Sequence, residues 1–257
     1  ALFIMEVFML KTLKFAVLVS LPVFVLTSCN KESKTIVVGA SSTPHALILE
    51  EAKDYVLSKG FKLDITIFND YVLPNFALEN GELDANYFQH KPYLEEFNSA
   101  NGTHLISVKD IHFEPMGIYA GTKSDISAFL KTDTIIVPSD KSNYDRAINL
   151  LKEHGMNEAN IIEVEAQNIP LMLSDCAFAV INGNYALSAG VVERCLITED
   201  KDSDIAKRMA NVIVVKKGNE KSAKTQILIE ALSQDNIETF IKNKFGEQYI
   251  GSVKFSK

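Results

Sequence analysis

Two apolar runs separated by about twenty residues restrict this chain to a narrow set of folds. TIVVGAS (35–41) and LDITIF (63–68) are rich in β-branched residues. The first is too continuously apolar for a strand with one face in water, so it reads as a strand buried on both faces. Between them Thr43 can cap a helix and Pro44 suits its first position. Ile48, Ala52 and Tyr55 recur at helical spacing, and Gly60 stops the run. Two strands joined through a helix pair in parallel, because antiparallel neighbours need only a short hairpin. The unit is therefore βαβ, and its 41–44 loop leaves the carboxyl end of a strand, where ligands bind in open α/β sheets.

The alternation continues. Helical segments fall at 73–79 and 91–99, followed by a strand-like passage at 111–121. A second series begins with a strand at 134–140 and a helix at 143–155 that gathers Ala147, Leu150 and Leu151 on one face. Strands at 161–166, 178–183 and 211–218 follow, then helices at 222–233 and 235–245. One strand leading out near 118 and another leading back near 212 imply two lobes: 35–117 with 213–257, and 118–212. The expected class is α/β, with two parallel-rich sheets flanked by helices and a ligand cleft between the lobes.

The first residues carry an address. Lys11 and Lys14 precede an apolar stretch from Phe15 to Leu26, and Thr27 and Ser28 lead to Cys29, so that LTSC forms a lipobox. The stretch is about a dozen residues and contains Pro22, against roughly 20 needed to span a bilayer. Residues 1–28 read as a signal peptide, Cys29 as the lipidated residue and 29–34 as a tether, which places the protein at the cell membrane on its exported side. The net charge is −7; residues 1–28 contribute Lys11, Lys14 and Glu6, or +1, leaving −8 for the remainder. An acidic chain with no basic run is not built for nucleic acid. Cys176 and Cys195 match no metal spacing; in an exported setting they could pair, but a chain this long needs no staple and they read as two free or buried thiols.

Three segments carry chemistry. Tyr71, Tyr87, Phe88, His90 and Tyr93 crowd aromatic groups into a short span, with Asp84, Asn86 and Gln89 beside them. Such a set can cage a flexible apolar side chain, and a thioether sulfur gains about 0.3–1.5 kcal/mol per aromatic contact. In VPSDKSNYDRAINLL (137–151) a helix starting near Asn143 would put Arg146 in its first turn. A positive charge opposes the helix dipole there, unless an anion is held jointly by the guanidinium and the free backbone N–H groups. In AVINGNYALSAG (179–190) a buried strand delivers Asn182 and Asn184 to a glycine-broken turn, where amides supply both donors and acceptors to a zwitterion.

GASSTPHALILEEAK, NDYVLPNFALENGELDANYFQHKPYL, the 137–151 segment and INGNYALSAG, in that order behind a lipobox, resemble the NlpA/MetQ family of methionine-binding lipoproteins from about Ile36 onward. The resemblance implies a two-lobed, type II-like periplasmic-binding-protein fold serving an ABC importer. It also implies that Tyr71, Phe88, His90 and Tyr93 surround the ligand side chain, that Arg146 assisted by Asn143 takes the carboxylate, and that Asn182 and Asn211 contact the amino-acid backbone. The ligand would be L-methionine or a close relative, with D-methionine or a methionine-containing dipeptide as alternatives. The partners would be a permease with a separate ATPase subunit, and the chain a monomer without cofactor. Two features depart from the family: Cys176 stands where an acidic residue is usual, and SDIAKRMAN (203–211) carries extra residues before the return strand, which bears on Asn211.

Other classes fit less well. A metal carrier could use His112 and Glu114, two apart on a strand face, with His90 or His45. No HExxH or paired Cys/His spacing is present, so no metal site is expected. Glu114 is expected to hydrogen-bond within the hinge or cleft. No nucleophile elbow, P-loop or dinucleotide fingerprint occurs, which argues against an enzyme. A surface adhesin with a vestigial cleft would not need the arginine and the aromatic cluster.

Overall fold

The structure is a computed structural model that describes residues 33–246 and 250–251. The signal peptide and Cys29 lie outside the described residues, as does most of the tether. In chain order the strands among them are β1 (Thr35–Ala40), β2 (Lys62–Ile67), β3 (Ala85–His90), β4 (Leu105–Phe113), β5 (Gly117–Ala120), β6 (Thr134–Pro138), β7 (Asn160–Val164), β8 (Phe178–Ile181), β9 (Cys195–Thr198), β10 (Asn211–Lys216) and β11 (Ile250–Gly251). The helices are α1 (Leu47–Glu51), α2 (Lys53–Ser58), α3 (Leu73–Glu79), α4 (Lys91–Asn101), α5 (Lys141–Glu153), α6 (Gly183–Ala189), α7 (Asp204–Arg208), α8 (Ala223–Leu232) and α9 (Asp235–Phe245).

They form two sheets, in the orders β11-β4-β10-β3-β1-β2 and β7-β6-β8-β5-β9. Parallel pairing is confined to the βαβ units: β1 with β2 and β3, and β6 with β7 and β8. The remaining pairs are antiparallel: β10 with β3 and β4, and β5 with β8 and β9, are made by crossover strands that enter each sheet from the other one, and β11 adds to the edge at β4. Both sheets are thus mixed rather than parallel-rich as expected, because each takes in antiparallel strands beside its βαβ units. β5 opens at Gly117 and β10 at Asn211.

Each sheet is buried on both faces, which explains the unbroken apolar runs. In the first, Ile36, Val38, Ile213 and Val215 pack with α1, α2, α8 and α9 through Ile48, Val56, Leu228 and Ile241. Val212 and Val214 turn to the opposite face with Leu78 of α3 and Leu94 of α4. In the second, Ile135 and Val137 meet Ala147, Leu150 and Leu151 of α5, while Ile136 points the other way to Ile169, Leu173 and Tyr185.

Two local expectations are corrected. Thr43 does not cap a helix: α1 begins only at Leu47 with Ala46 at its N-cap, and Thr43 lies upstream with an extended backbone (φ −145°, ψ 133°). Pro44 disfavours the helical region for the residue before it, so a turn closed by Ala46 N donating to Ser41 O intervenes. Helix α5 begins at Lys141, two residues before the expected start, because Asp140 is its N-cap and accepts from Asn143 N at 3.0 Å. Arg146 therefore lies in the second turn. Cys176 and Cys195 are both free thiols.

Candidate functional site

The aromatic residues meet because β3 runs directly into α4. Phe88 lies in β3, Tyr93 in the first turn of α4, and Tyr71 just before α3. The Tyr71 ring centroid is 5.8 Å from Phe88, 5.7 Å from Tyr93 and 4.8 Å from Tyr185. Tyr93 donates its hydroxyl to Tyr71 O (2.9 Å), and Tyr71 donates to Asn184 Oδ1 (2.6 Å). The amide side chains of β3 are bonded to one another rather than to the cage residues. Asn86 and Gln89 bond to one another and to Asn75 at 2.6–2.9 Å, a closed and buried amide cluster.

His90 links the cage to α5. Its Nδ1 accepts from Tyr93 N at 3.2 Å, so Nε2 carries the proton and donates to Asn143 Oδ1 at 3.1 Å. That oxygen also accepts from Asn182 Nδ2 (2.9 Å), and Asn143 Nδ2 donates to the Asp140 carboxylate. Burial, aided by the nearby Arg146 charge, lowers the His90 pKa to about 3 and keeps the ring neutral.

Arg146 is buried and already paired. Its Nε donates to Glu199 Oε1 (2.7 Å), and its Nη2 to Glu199 Oε2 (2.5 Å) and to Glu114 O (3.0 Å). Nη1 makes no hydrogen bond to a described group. The free N–H groups of the α5 start are also occupied: Lys141 N and Ser142 N donate to the Glu96 carboxylate of α4 at 3.2 and 2.9 Å. The expected joint anion site of arginine and helix terminus is therefore filled by protein carboxylates, and only the outer guanidinium nitrogen remains for a ligand.

Glu114, between β4 and β5, accepts from Asn211 Nδ2 at 3.0 Å through Oε1. Asn211 opens β10, with its Oδ1 3.2 Å from His45 Nε2. Burial pushes the Glu114 carboxyl up to about 8, against the opposing effects of the Arg146 charge, the Asn211 amide and the Asn184 backbone.

All eight residues expected to hold a ligand, namely Tyr71, Phe88, His90, Tyr93, Asn143, Arg146, Asn182 and Asn211, line one small cavity with about 20 Å³ of free space, enough for about one water. Gln89, Glu114, Gly183 and Asn184 complete its wall. Three of its buried polar atoms have no partner: Glu114 Oε2, Asn182 Oδ1 and Asn184 Nδ2. Such atoms cost about 1–3 kcal/mol each when left unmet, so the cavity is prepared for a molecule with complementary donors and acceptors. Asn182 and Asn184 sit at the start of α6 rather than in a simple turn. Glu199 gives no signal in the sequence, lying in an ordinary acidic loop after β9. A larger hollow of about 730 Å³ lies beyond Arg146, between α4, α5 and α7. It is lined by charged groups such as Glu95, Lys141, Asp145 and Arg208, and of the unpartnered buried side-chain atoms it holds none.

A sequence model described as NlpA lipoprotein matches residues 36–253. The chain is 34% identical over 249 residues to membrane lipoprotein TpN32 of Treponema pallidum, covering 89% of this chain and 92% of that one. It is 31% identical over 236 residues to the methionine-binding lipoprotein MetQ of Bacillus subtilis, covering 82% and 86%. Its fold matches a nutrient binding protein of Burkholderia cenocepacia solved bound to methionine, with a TM-score of 0.78 at 28% identity, over 84% of this chain and 99% of that one. No helix among the described residues is long and apolar enough to cross a membrane.

Proposed function

The chain belongs to the NlpA lipoprotein family, and from that membership we propose that it is the substrate-binding component of an ABC importer, holding L-methionine or a closely related amino acid between its lobes. The observation that carries this reading is the pairing, in one cavity, of an aromatic cage with unpartnered buried acceptors and a donor. Glu114 Oε2 and Asn182 Oδ1 are suited to an ammonium group. Asn184 Nδ2 and Arg146 Nη1 are suited to a carboxylate, and Tyr71, Phe88 and Tyr93 to a thioether chain. An arriving ammonium would draw the Glu114 carboxyl into its ionised form, giving a charge-assisted bond in a dry site.

The free space in the cavity is only about 20 Å³, far below the roughly 300–1,000 Å³ of ligand pockets, so the lobes would have to part to admit an amino acid. His90, Asn143 and Asn211 act by orienting their neighbours: His90 and Asn143 fix Asn182, and Asn211 fixes Glu114. The proposed lobes are 35–117 with 213–257, and 118–212. Closure of the two around the ligand would present a surface to the permease, a separate subunit would hydrolyse ATP, and lipid on Cys29 would hold the monomer at the exported face of the membrane. The proposal is tested by denaturing the purified protein gently and identifying the released small molecule by mass spectrometry. Methionine at close to one equivalent per chain is the expected result. A sugar, a metal chelate or a peptide in its place would reject the assignment.

A further inference from the structure

Next to the ligand cavity lies a second cluster, which shares Glu114 and Asn211 with it and adds two histidines that the account above does not use. His45, from the turn before α1, and His112, from the end of β4, are fully buried, and both point Nε2 toward Glu114. His45 Nε2 is 3.4 Å and His112 Nε2 3.9 Å from Glu114 Oε1, and the three ligating atoms lie within 4.8 Å of one another. Each ring is oriented by a hydroxyl on its other nitrogen: Ser41 Oγ lies 2.6 Å from His45 Nδ1, and Tyr87 Oη 2.5 Å from His112 Nδ1. His112 Nε2 has no partner, although it is entirely enclosed.

We propose that His45, His112 and Glu114, with Asn211 Oδ1 as a fourth oxygen, form a binding site for a divalent transition-metal cation of the zinc class at the base of the cleft. Ligand atoms around a tetrahedral zinc ion with bonds of about 2.0–2.1 Å stand about 3.4 Å apart. The observed separations reach that spacing with shifts on the order of 1 Å or less. Two imidazoles and one or two oxygens suit a borderline cation rather than calcium or magnesium. The hydroxyls on the far nitrogens are the outer-shell partners such a site uses: they accept Nδ1–H and leave Nε2 free to ligate. The neighbouring Arg146 charge is balanced by Glu199. Glu114 and Asn211 also line the ligand cavity, so an open cleft gives the ion a route in. Once bound, it would tie both crossings between the sheets, at Glu114 and at Asn211, to His45 in the first. Glu114 Oε2 would stay turned to the cleft.

The competing occupant of the triangle is a proton shared between Glu114 and the imidazoles, and the test separates the two. Purified full-length protein is stripped with chelator and titrated with Co2+ alone, without amino acid. The expected result is a visible ligand-field absorption that saturates at one equivalent, is displaced by Zn2+, and is lost in His112→Gln and in His45→Gln, each of which removes one imidazole ligand. A variant of the exposed histidines, His104→Gln with His154→Gln, should keep it. Melting of each variant without metal verifies its fold. Absence of a saturable band in folded wild-type protein overturns the proposal whatever the variants do, as does a band lost only in the surface variant. Neither result bears on the amino acid in the cleft.

Discussion

Replacing Arg146 by alanine is expected to weaken binding of the cleft ligand by about 2–5 kcal/mol and, separately, to destabilise the free protein by about 3–5 kcal/mol. The two effects have different origins. Arg146 lines the cavity and its Nη1 has no hydrogen bond to a described group, whereas Nε and Nη2 neutralise Glu199, whose side chain is only 7% exposed. Removing the arginine leaves that carboxylate buried without a counter-charge, although Met116 N still donates to it at 2.8 Å. The double variant Arg146→Met with Glu199→Gln separates the contributions. It should regain most of the stability, since an uncharged pair no longer needs compensation, and should still bind ligand as poorly as Arg146→Ala. Urea unfolding and calorimetric titration on the three proteins check both halves. Recovery of affinity along with stability would mean that Arg146 acts on the ligand only by holding the fold.

Acid should unfold the protein steeply, with His90 as a main cause. Its folded pKa is lowered to about 3 from an ordinary 6.5, first by burial and then by the Arg146 charge. A histidine depressed in this way stabilises the fold fully above pH 6.5, and the contribution drains away as the pH falls toward 3. The unfolded chain takes up the proton across that window and the folded chain does not. The loss by pH 3 is roughly 4 kcal/mol. His90→Gln keeps a donor for Asn143 but removes the titration, so its stability should fall less steeply between pH 6.5 and 3 than that of wild type. Parallel slopes for the two proteins would show that the ring is not the group responsible.

Much of the fold is legible in the sequence where one physical signal dominates. Continuous β-branched runs locate β1, β6 and β10, because both faces of those strands are buried. α3 is observed at Leu73–Glu79, where the helical segment is expected. β3 is hidden by the opposite circumstance. All six of its residues are buried, yet Asn86, Gln89 and His90 are polar, and their burial is tolerated only through partners that lie far off in the chain, such as Asn75 and Asn143. Local hydropathy carries no trace of such partners. The start of α5 is likewise set by one side chain, Asp140, capping Asn143.

The candidate site divides in the same way. Its aromatic half is contiguous in sequence around 88–93 and shows itself as a cluster. Its charged half is assembled from distant positions: Glu114 at one crossing, Asn211 at the other, and Glu199 in a loop reaching back to Arg146. The chemistry of an arginine is visible in a sequence, but its pairing is not. The guanidinium that stands out as an anion receptor already has two of its three nitrogens committed to protein, and only the folded geometry reveals which one is left.

The central claim is that the cleft reads both ends of a free amino acid while its cage receives an apolar sulfur chain. Calorimetric titration of ligand-free protein with L-methionine and with L-methioninamide, which keeps the ammonium and the side chain but lacks the carboxylate, tests it most directly. One saturable site for methionine, with the amide weaker by about 30-fold or more, corresponding to at least about 2 kcal/mol, is the predicted result. Equal affinity for acid and amide, or no binding of methionine, would contradict it.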